Sequence, residues 1–188
     1  MGSYYTFISI DFKSSDDEKK RFVKLLSLMD KEGLNKYDEM TEFPVEYDDA
    51  VENALLGKLE DRGEDGGRNC RYFPDFDLSL APKLFASLFP DSEFSLEINW
   101  EYSVGGGQTV FFADYKDNKL VIRECQTEDD IELLDEETQD KYDEGDLFTE
   151  DIIDMLLEIN GAKEVKPSRN EKYERSFCDG NDLLECIK

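Results

Sequence analysis

Between Phe94 and Tyr102 the chain alternates strictly: Phe94, Leu96, Ile98, Trp100 and Tyr102 are apolar, and every residue between them is polar. A period of two places those five on one face of a strand and Glu97, Asn99 and Glu101 on the other. Gly105-Gly106-Gly107 breaks the pattern, a β-rich run from Thr109 to Tyr115 follows, and Asp117-Asn118 marks a turn before Leu120-Val121-Ile122. The pattern predicts an antiparallel meander over 93–124, one face on a core and one mostly wet. Trp100 is expected in that core, with Ile98 and Phe111 or Phe112 beside it.

Elsewhere the periods alternate between two and about four. Tyr4 to Phe12 is a strand by composition, with apolar residues on both parities, which suits a central or helix-backed position. Ser15-Asp16-Asp17-Glu18 has the form of a capping box, and Phe22, Leu25, Leu26 and Met29 make the stripe of a helix expected to end near Gly33. Val51, Leu55 and Leu59 predict a helix over 48–59, and residues 61–69 read as a flexible, Gly-rich loop carrying Arg62 and Arg68. A helix over 79–89, with Ser79 or Asp77 as cap and Pro82 in its first turn, leads into the meander. A later helix spans about 150–160, with Thr149 as N-cap, Phe148 and Ile153 as staple, and Gly161 just past its end. Its inward residues are expected to be Ile152, Ile153, Leu156 and Ile159. The tail reads as strands at 163–166 and 173–178 and a turn over 183–187.

These elements describe one α+β domain over 1–188: an antiparallel sheet, made of the strand near 4–12 and the meander 93–124, with helices packed on one face. The strand–helix–hairpin–helix–strand skeleton accommodates a ferredoxin-like arrangement with insertions.

Residues 80–124 carry a more specific signal. Leu80-Ala-Pro-Lys-Leu84-Phe-Ala-Ser-Leu88-Phe89-Pro90 precedes the alternating strand, Gly105-Gly106-Gly107, Phe111-Phe112 and Asp117-Asn118. This stretch resembles the YubB/Api92-like proteins of phages and plasmids, in which a helix ending in a Phe/Tyr-Pro turn feeds a strand, a Gly-containing turn and a second strand. The tryptophan-rich N-terminal part usual in that family is absent here. The resemblance implies a ferredoxin-like fold and an origin in a phage or other mobile element, and it brings no catalytic residues with it.

Charge changes the picture most. The chain holds 47 acids against 22 bases, a formal charge of −25. Such a charge repels polyphosphates and anionic lipid surfaces and draws in basic partners, so direct binding of nucleic acid or membrane is not expected. There is no histidine, which removes the commonest general base and with it a Ser-His or Cys-His triad. Cys70, Cys125, Cys178 and Cys186 fit no zinc or redox spacing and read as free thiols of a reducing cytoplasm. No signal segment or membrane-length run is present, so the expected location is cytoplasmic.

About half of residues 128–151 are Asp or Glu, and Lys141 is the one base among them. Ile131, Leu133 and Leu134, with Thr127 as cap, are expected to pin a short helix there. Within this segment Asp140 to Asp151 overlaps a calcium-loop pattern: Gly145 is at the sixth position and acids occupy the first, fifth and twelfth, but Tyr142 and Phe148 stand at the third and ninth. A solvated acidic segment explains it more simply. Gly105–Gly107 leads into a strand, not a helix, and is a hairpin turn and not a phosphate cradle.

What remains is the acidic surface: Glu97 and Glu101 on the wet strand face, then Glu128, Asp129, Asp130, Glu132, Asp135, Glu136, Glu137, Asp140 and Asp143, with Tyr142 among them as an aromatic anchor. Tyr37, Tyr47, Tyr72 and Tyr115 also lie among acids. Carboxylates interspersed with tyrosines suit the basic groove of a nuclease or DNA-binding protein. The expectation is a non-enzymatic inhibitor of immunity, anti-defence or DNA-mimic type, with no catalytic residues and no cofactor. The alternative is a divalent-metal-binding domain or enzyme built on the same acidic clusters.

Overall fold

The computed structural model describes residues 4–29, 58–60, 78–102 and 107–188, excepting the side chains of 4–9, 58–60 and 100–102. Strand β1 (Tyr4–Lys13) leads into helix α1 (Asp16–Met29), and β2 (Lys58–Glu60) precedes α2 (Ala81–Leu88). The meander follows as β3 (Glu93–Tyr102), β4 (Gln108–Lys116) and β5 (Lys119–Gln126). Then come α3 (Thr127–Asp130), a 3-10 turn (Ile131–Leu133), α4 (Glu136–Asp143) and α5 (Thr149–Asn160). The chain closes with β6 (Lys163–Val165), α6 (Glu171–Cys178) and α7 (Leu183–Cys186).

The fold is α+β. Its strands form one sheet in the order β2-β1-β3-β4-β5-β6, antiparallel at every step. The β4–β5 hairpin closes through Asp117 and Asn118, both at positive φ, the backbone that a two-residue turn needs and that Asn and Asp tolerate. Since β2 and β3 both run antiparallel to β1, they are parallel to each other with β1 inserted, one split β-α-β unit. The ferredoxin-like pattern interlocks two such units. Here β3, β4 and β5 are each the next one's neighbour, so the second unit is replaced by a plain meander.

One face of the sheet carries the main core. Ile10 and Phe12 of β1, Phe94, Leu96 and Ile98 of β3, and Phe111, Ala113 and Tyr115 of β4 are buried against α1, α2, α6 and α7. Phe12 stacks on Phe22 of α1 with ring centroids 4.1 Å apart, and Phe89 meets both rings edge-on. The Phe94-Leu96-Ile98 face is as the alternation requires. The Trp100 side chain lies outside those described. The stripe of α1 is buried as expected, and the Glu18 amide donates to Ser15 Oγ at 3.3 Å, but the Glu18 carboxylate takes Arg21 at 2.8 Å.

The opposite face is not bare. Val110 and Cys125 are partners across β4 and β5, while Phe111, one residue on, belongs to the main core; alternation therefore puts Val110 and Cys125 on the other side. There they join Leu134, Ile152, Ile153 and Leu156 in a second, smaller cluster. Helices thus pack on both faces: α1, α2, α6 and α7 on one, the acidic α3–α5 lobe on the other.

Three local expectations change. Residues 173–178 are helical, because Asn170 caps α6 by accepting from the Tyr173 amide at 3.0 Å and Tyr173, Phe177 and Cys178 fall on one helical face. Residues Leu183–Cys186 are also a short helix, capped by Asp182. Lys58–Glu60 is a strand in place of a helix end, with Leu59 opposite Ile10. The rest of the expected 48–59 helix, its 61–69 loop, Cys70, Tyr37, Tyr47 and Tyr72 lie outside the described residues.

Candidate functional site: the acidic lobe

The chain leaves β5 at Gln126 and turns at once. Thr127 is buried, and its hydroxyl accepts from the Gln108 amide at 2.9 Å, tying the start of α3 to the start of β4. It is the first helical residue and not the cap. The Glu128 side chain lies over Gly107 so closely that a Cβ there would stand 2.4 Å from its carboxyl carbon. Asp130 turns back: its Oδ2 accepts from the Gln126 amide at 2.8 Å and from Asn160 Nδ2 at 2.9 Å. That carboxylate clamps α3 to the far end of α5 and is structural. Of the residues expected to pin this stretch, Leu134 is buried and Ile131 half-buried, but Leu133 is 53% exposed.

Asp135 caps α4. It accepts from the Thr138 hydroxyl at 2.8 Å and the Thr138 amide at 3.0 Å, and these bonds, the hydroxyl's first, hold its carboxyl below the usual aspartate value. Lys141, the one base of residues 128–151, is engaged by Glu137 one turn away at 2.6 Å, which raises its pKa. Glu136, Glu137, Asp140 and Asp143 are exposed on the same helix. Tyr142 is half-buried and packs against the second cluster, so its ring is spent on folding and is not a free anchor. Tyr115, another tyrosine among acids, is buried, with its hydroxyl donating to the Pro90 carbonyl at 3.1 Å. Burial, then Asp91, raises its pKa.

The calcium-loop pattern does not form a loop. Asp140 and Asp143 lie within α4, and the Asp151 carboxylate accepts from the Phe148 amide at 3.1 Å. Phe148, and not Thr149, therefore occupies the N-cap position of α5. Among the described residues no group of three or more acids or cysteines is placed to hold a metal ion.

Helix α5 has two characters. Ile152, Ile153 and Leu156 are buried in the second cluster, and Gly161, at φ 69°, ends the helix. Ile159, expected inward, is 51% exposed; Phe148 is 72% exposed and Met155 38%. The stripe of Ile152, Ile153 and Leu156 already satisfies the helix's need for a core, which is why sequence reasoning passed over the second stripe.

The strand-borne candidates sit apart from this lobe in character. Glu97 is exposed in the middle of β3, across from Phe112, and Glu101 pairs with Gln108 through its backbone. In the same cross-strand row as Glu97, Arg123 lies over the Phe112 ring, 5.0 Å from its centroid, and 3.8 Å from Asp114. This part of the sheet is mixed in charge. The continuous acidic surface is the α3–α5 lobe, where Glu128, Asp129, Glu132, Asp135, Glu136, Glu137, Asp140 and Asp143 are all exposed.

No family model, no curated protein and no solved structure matches the chain. No helix among the described residues is long and apolar enough to cross a membrane.

Proposed function

We propose that the protein is a non-enzymatic binding protein that neutralises a basic, nucleic-acid-handling protein, presenting the α3–α5 lobe where that partner would hold a phosphate backbone. One observation carries this reading. The carboxylates of 128–151 lie on and between helices that share a core with the sheet, α4 is capped by Asp135, and the lobe's one base is already paired. A charge needed only for solubility has no reason to be held in a fixed array. A fixed array of acids raises the encounter rate with a basic groove and costs little ordering on binding.

The test is kinetic. A partner recovered from the host at low salt is bound to the wild-type protein and to a variant with Glu132, Glu136 and Glu137 changed to Gln and Asp140 to Asn. Asp130 and Asp135 are left intact because their carboxylates hold the lobe together. Association should slow about tenfold or more in the variant and lose much of its salt dependence, with dissociation changing less. A DNA duplex should compete for the partner. An association rate indifferent to both salt and the four changes, or a partner that binds the protein and DNA together, would sink the proposal.

A further inference from the structure

Five large apolar residues are well exposed among those described, and three of them lie on α5 and its cap: Phe148 at 72%, Met155 at 38% and Ile159 at 51%. Their spacings of seven and four align them along one side of the helix, over about 16 Å at 1.5 Å per residue. On the helical wheel this stripe lies between the buried side (Ile152, Ile153, Leu156) and an outer side of exposed carboxylates (Asp151, Asp154, Glu158). An apolar stripe bordered by acids is more than a phosphate mimic needs.

We infer that the Phe148–Met155–Ile159 stripe is a docking surface for an amphipathic helix of a partner protein whose apolar face is edged by lysine or arginine. Phe148 is the anchor, Met155 and Ile159 extend the stripe to about three helical turns, and Asp151, Asp154 and Glu158 meet the partner's cations. Charge selects this occupant over the others. A second copy would bring −25 against −25, and an anionic membrane would be repelled in the same way. The chain's own 30–57 segment, outside the described residues, is rich in acids. Three turns of helix with apolar residues at three-, four- and seven-residue spacings match the stripe's length, as in other helix-in-groove contacts. The inference rests on the acidic-lobe reading and adds a specificity that charge alone does not supply.

Three labelled synthetic peptides separate the two ideas: a Leu/Lys amphipathic helix, the same peptide with every Leu replaced by Gln, and the first with every Lys replaced by Glu. Fluorescence anisotropy at low and physiological salt measures each against wild-type protein, the F148S/I159Q variant and the four-acid variant. Ser is a good N-cap and Gln a good helix former, so F148S/I159Q should keep the wild-type melting temperature. The amphipathic basic peptide should bind wild type at least about tenfold tighter than its Gln counterpart, and F148S/I159Q should erase that advantage while leaving the Gln peptide's binding unchanged. The Glu peptide should not bind. Equal binding of the first two peptides, or no loss in F148S/I159Q, would overturn the docking stripe and leave the acidic-lobe reading intact. Failure of both basic peptides at low salt would remove the acidic-lobe reading as well. Self-association of wild type by sedimentation, abolished in F148S/I159Q, would make a second copy the occupant and overturn the inference.

Discussion

The acidic lobe stands or falls with its small core, and Leu156 is the residue that tests it. Leu156 is 0% exposed and lies on α5 in one cluster with Ile152, Ile153 and the sheet residues Val110 and Cys125. Leu156→Ala removes three carbons from a packed site. Losing their transfer energy and leaving a cavity costs about 2–5 kcal/mol in buried positions generally. The lower half of that range, about 2–3 kcal/mol, is expected here. The second cluster is small, its neighbours Phe112, Tyr142, Leu147 and Leu157 are only partly buried, and an outer layer can settle into a cavity better than a closed core can. Urea unfolding followed by far-ultraviolet circular dichroism would measure the loss, and Leu96→Ala in the main core is the companion, expected at about 3–5 kcal/mol. A change below about 0.5 kcal/mol in Leu156→Ala would mean that α5 does not rest on the sheet through this side. The carboxylates would then not form a fixed array, and the lobe would offer no preformed surface to a partner.

Glu174 is only 6% exposed and takes Arg169 through two hydrogen bonds at 3.0 and 2.5 Å. Arg169→Ala should therefore cost about 2–3 kcal/mol in the same assay, below the usual range for an orphaned buried charge because the arginine is partly solvated; a loss under about 0.5 kcal/mol would mean that the carboxylate finds another partner. Burial, then Asp130, pushes the Cys125 thiol up to about 11, and burial, then Cys186, pushes Cys178 up to about 12. Both should resist iodoacetamide at pH 8 while Cys186 reacts, as read by peptide mass mapping. Because the native thiols keep their protons above the ordinary value of 9.0, stability should fall as pH rises from about 9. Asp135 works in the opposite direction: its carboxyl is held below 3.8, so its capping is present above that value and is lost as pH falls through the native one. Amide exchange at Thr138 should quicken there, or in Asp135→Ala at neutral pH, and unchanged protection would show that the cap does not hold the turn. Added salt should raise the melting temperature by screening repulsion among the acids, and an identical value at low and physiological salt would show that the charges are spread too widely to matter.

The sheet was largely legible from alternation because its strands have one dry face. Phe94, Leu96 and Ile98 repeat at two, and a one-residue slip would expose all of them. Tyr173 to Cys178 offers aromatic and apolar residues to either period, and the helix won through its cap, Asn170. Chain-distant pairings were not legible. Nothing local distinguishes Val110 from Phe111 as the residue that turns away from the main core; that depends on a partner, Leu156, more than forty positions away. The same limit explains Tyr142 and Ile159. Local pattern made the first an anchor among acids and the second a core residue, and the lobe's docking reversed both.

The two faces of one sheet separate what the fold needs from what a partner would touch. On the main-core face nearly every described apolar side chain of β1, β3, β4 and β5 is buried under α1, α2, α6 and α7, so changes there are read as stability. On the other face the lobe needs only a few apolar residues to stay in place, and among the described residues the outer sides of α3, α4 and α5 are exposed. Charge can accumulate there without entering a core, as the exposed acids between Glu128 and Asp143 have done. Packing does not ask for Phe148 and Ile159 to be apolar as well, since α5 is already held by Ile152, Ile153 and Leu156. Exposed aromatic and branched residues next to carboxylates add an aggregation risk that a solubilising surface would avoid. Under the proposed binding role, that combination is the feature by which this lobe would differ from a merely acidic one.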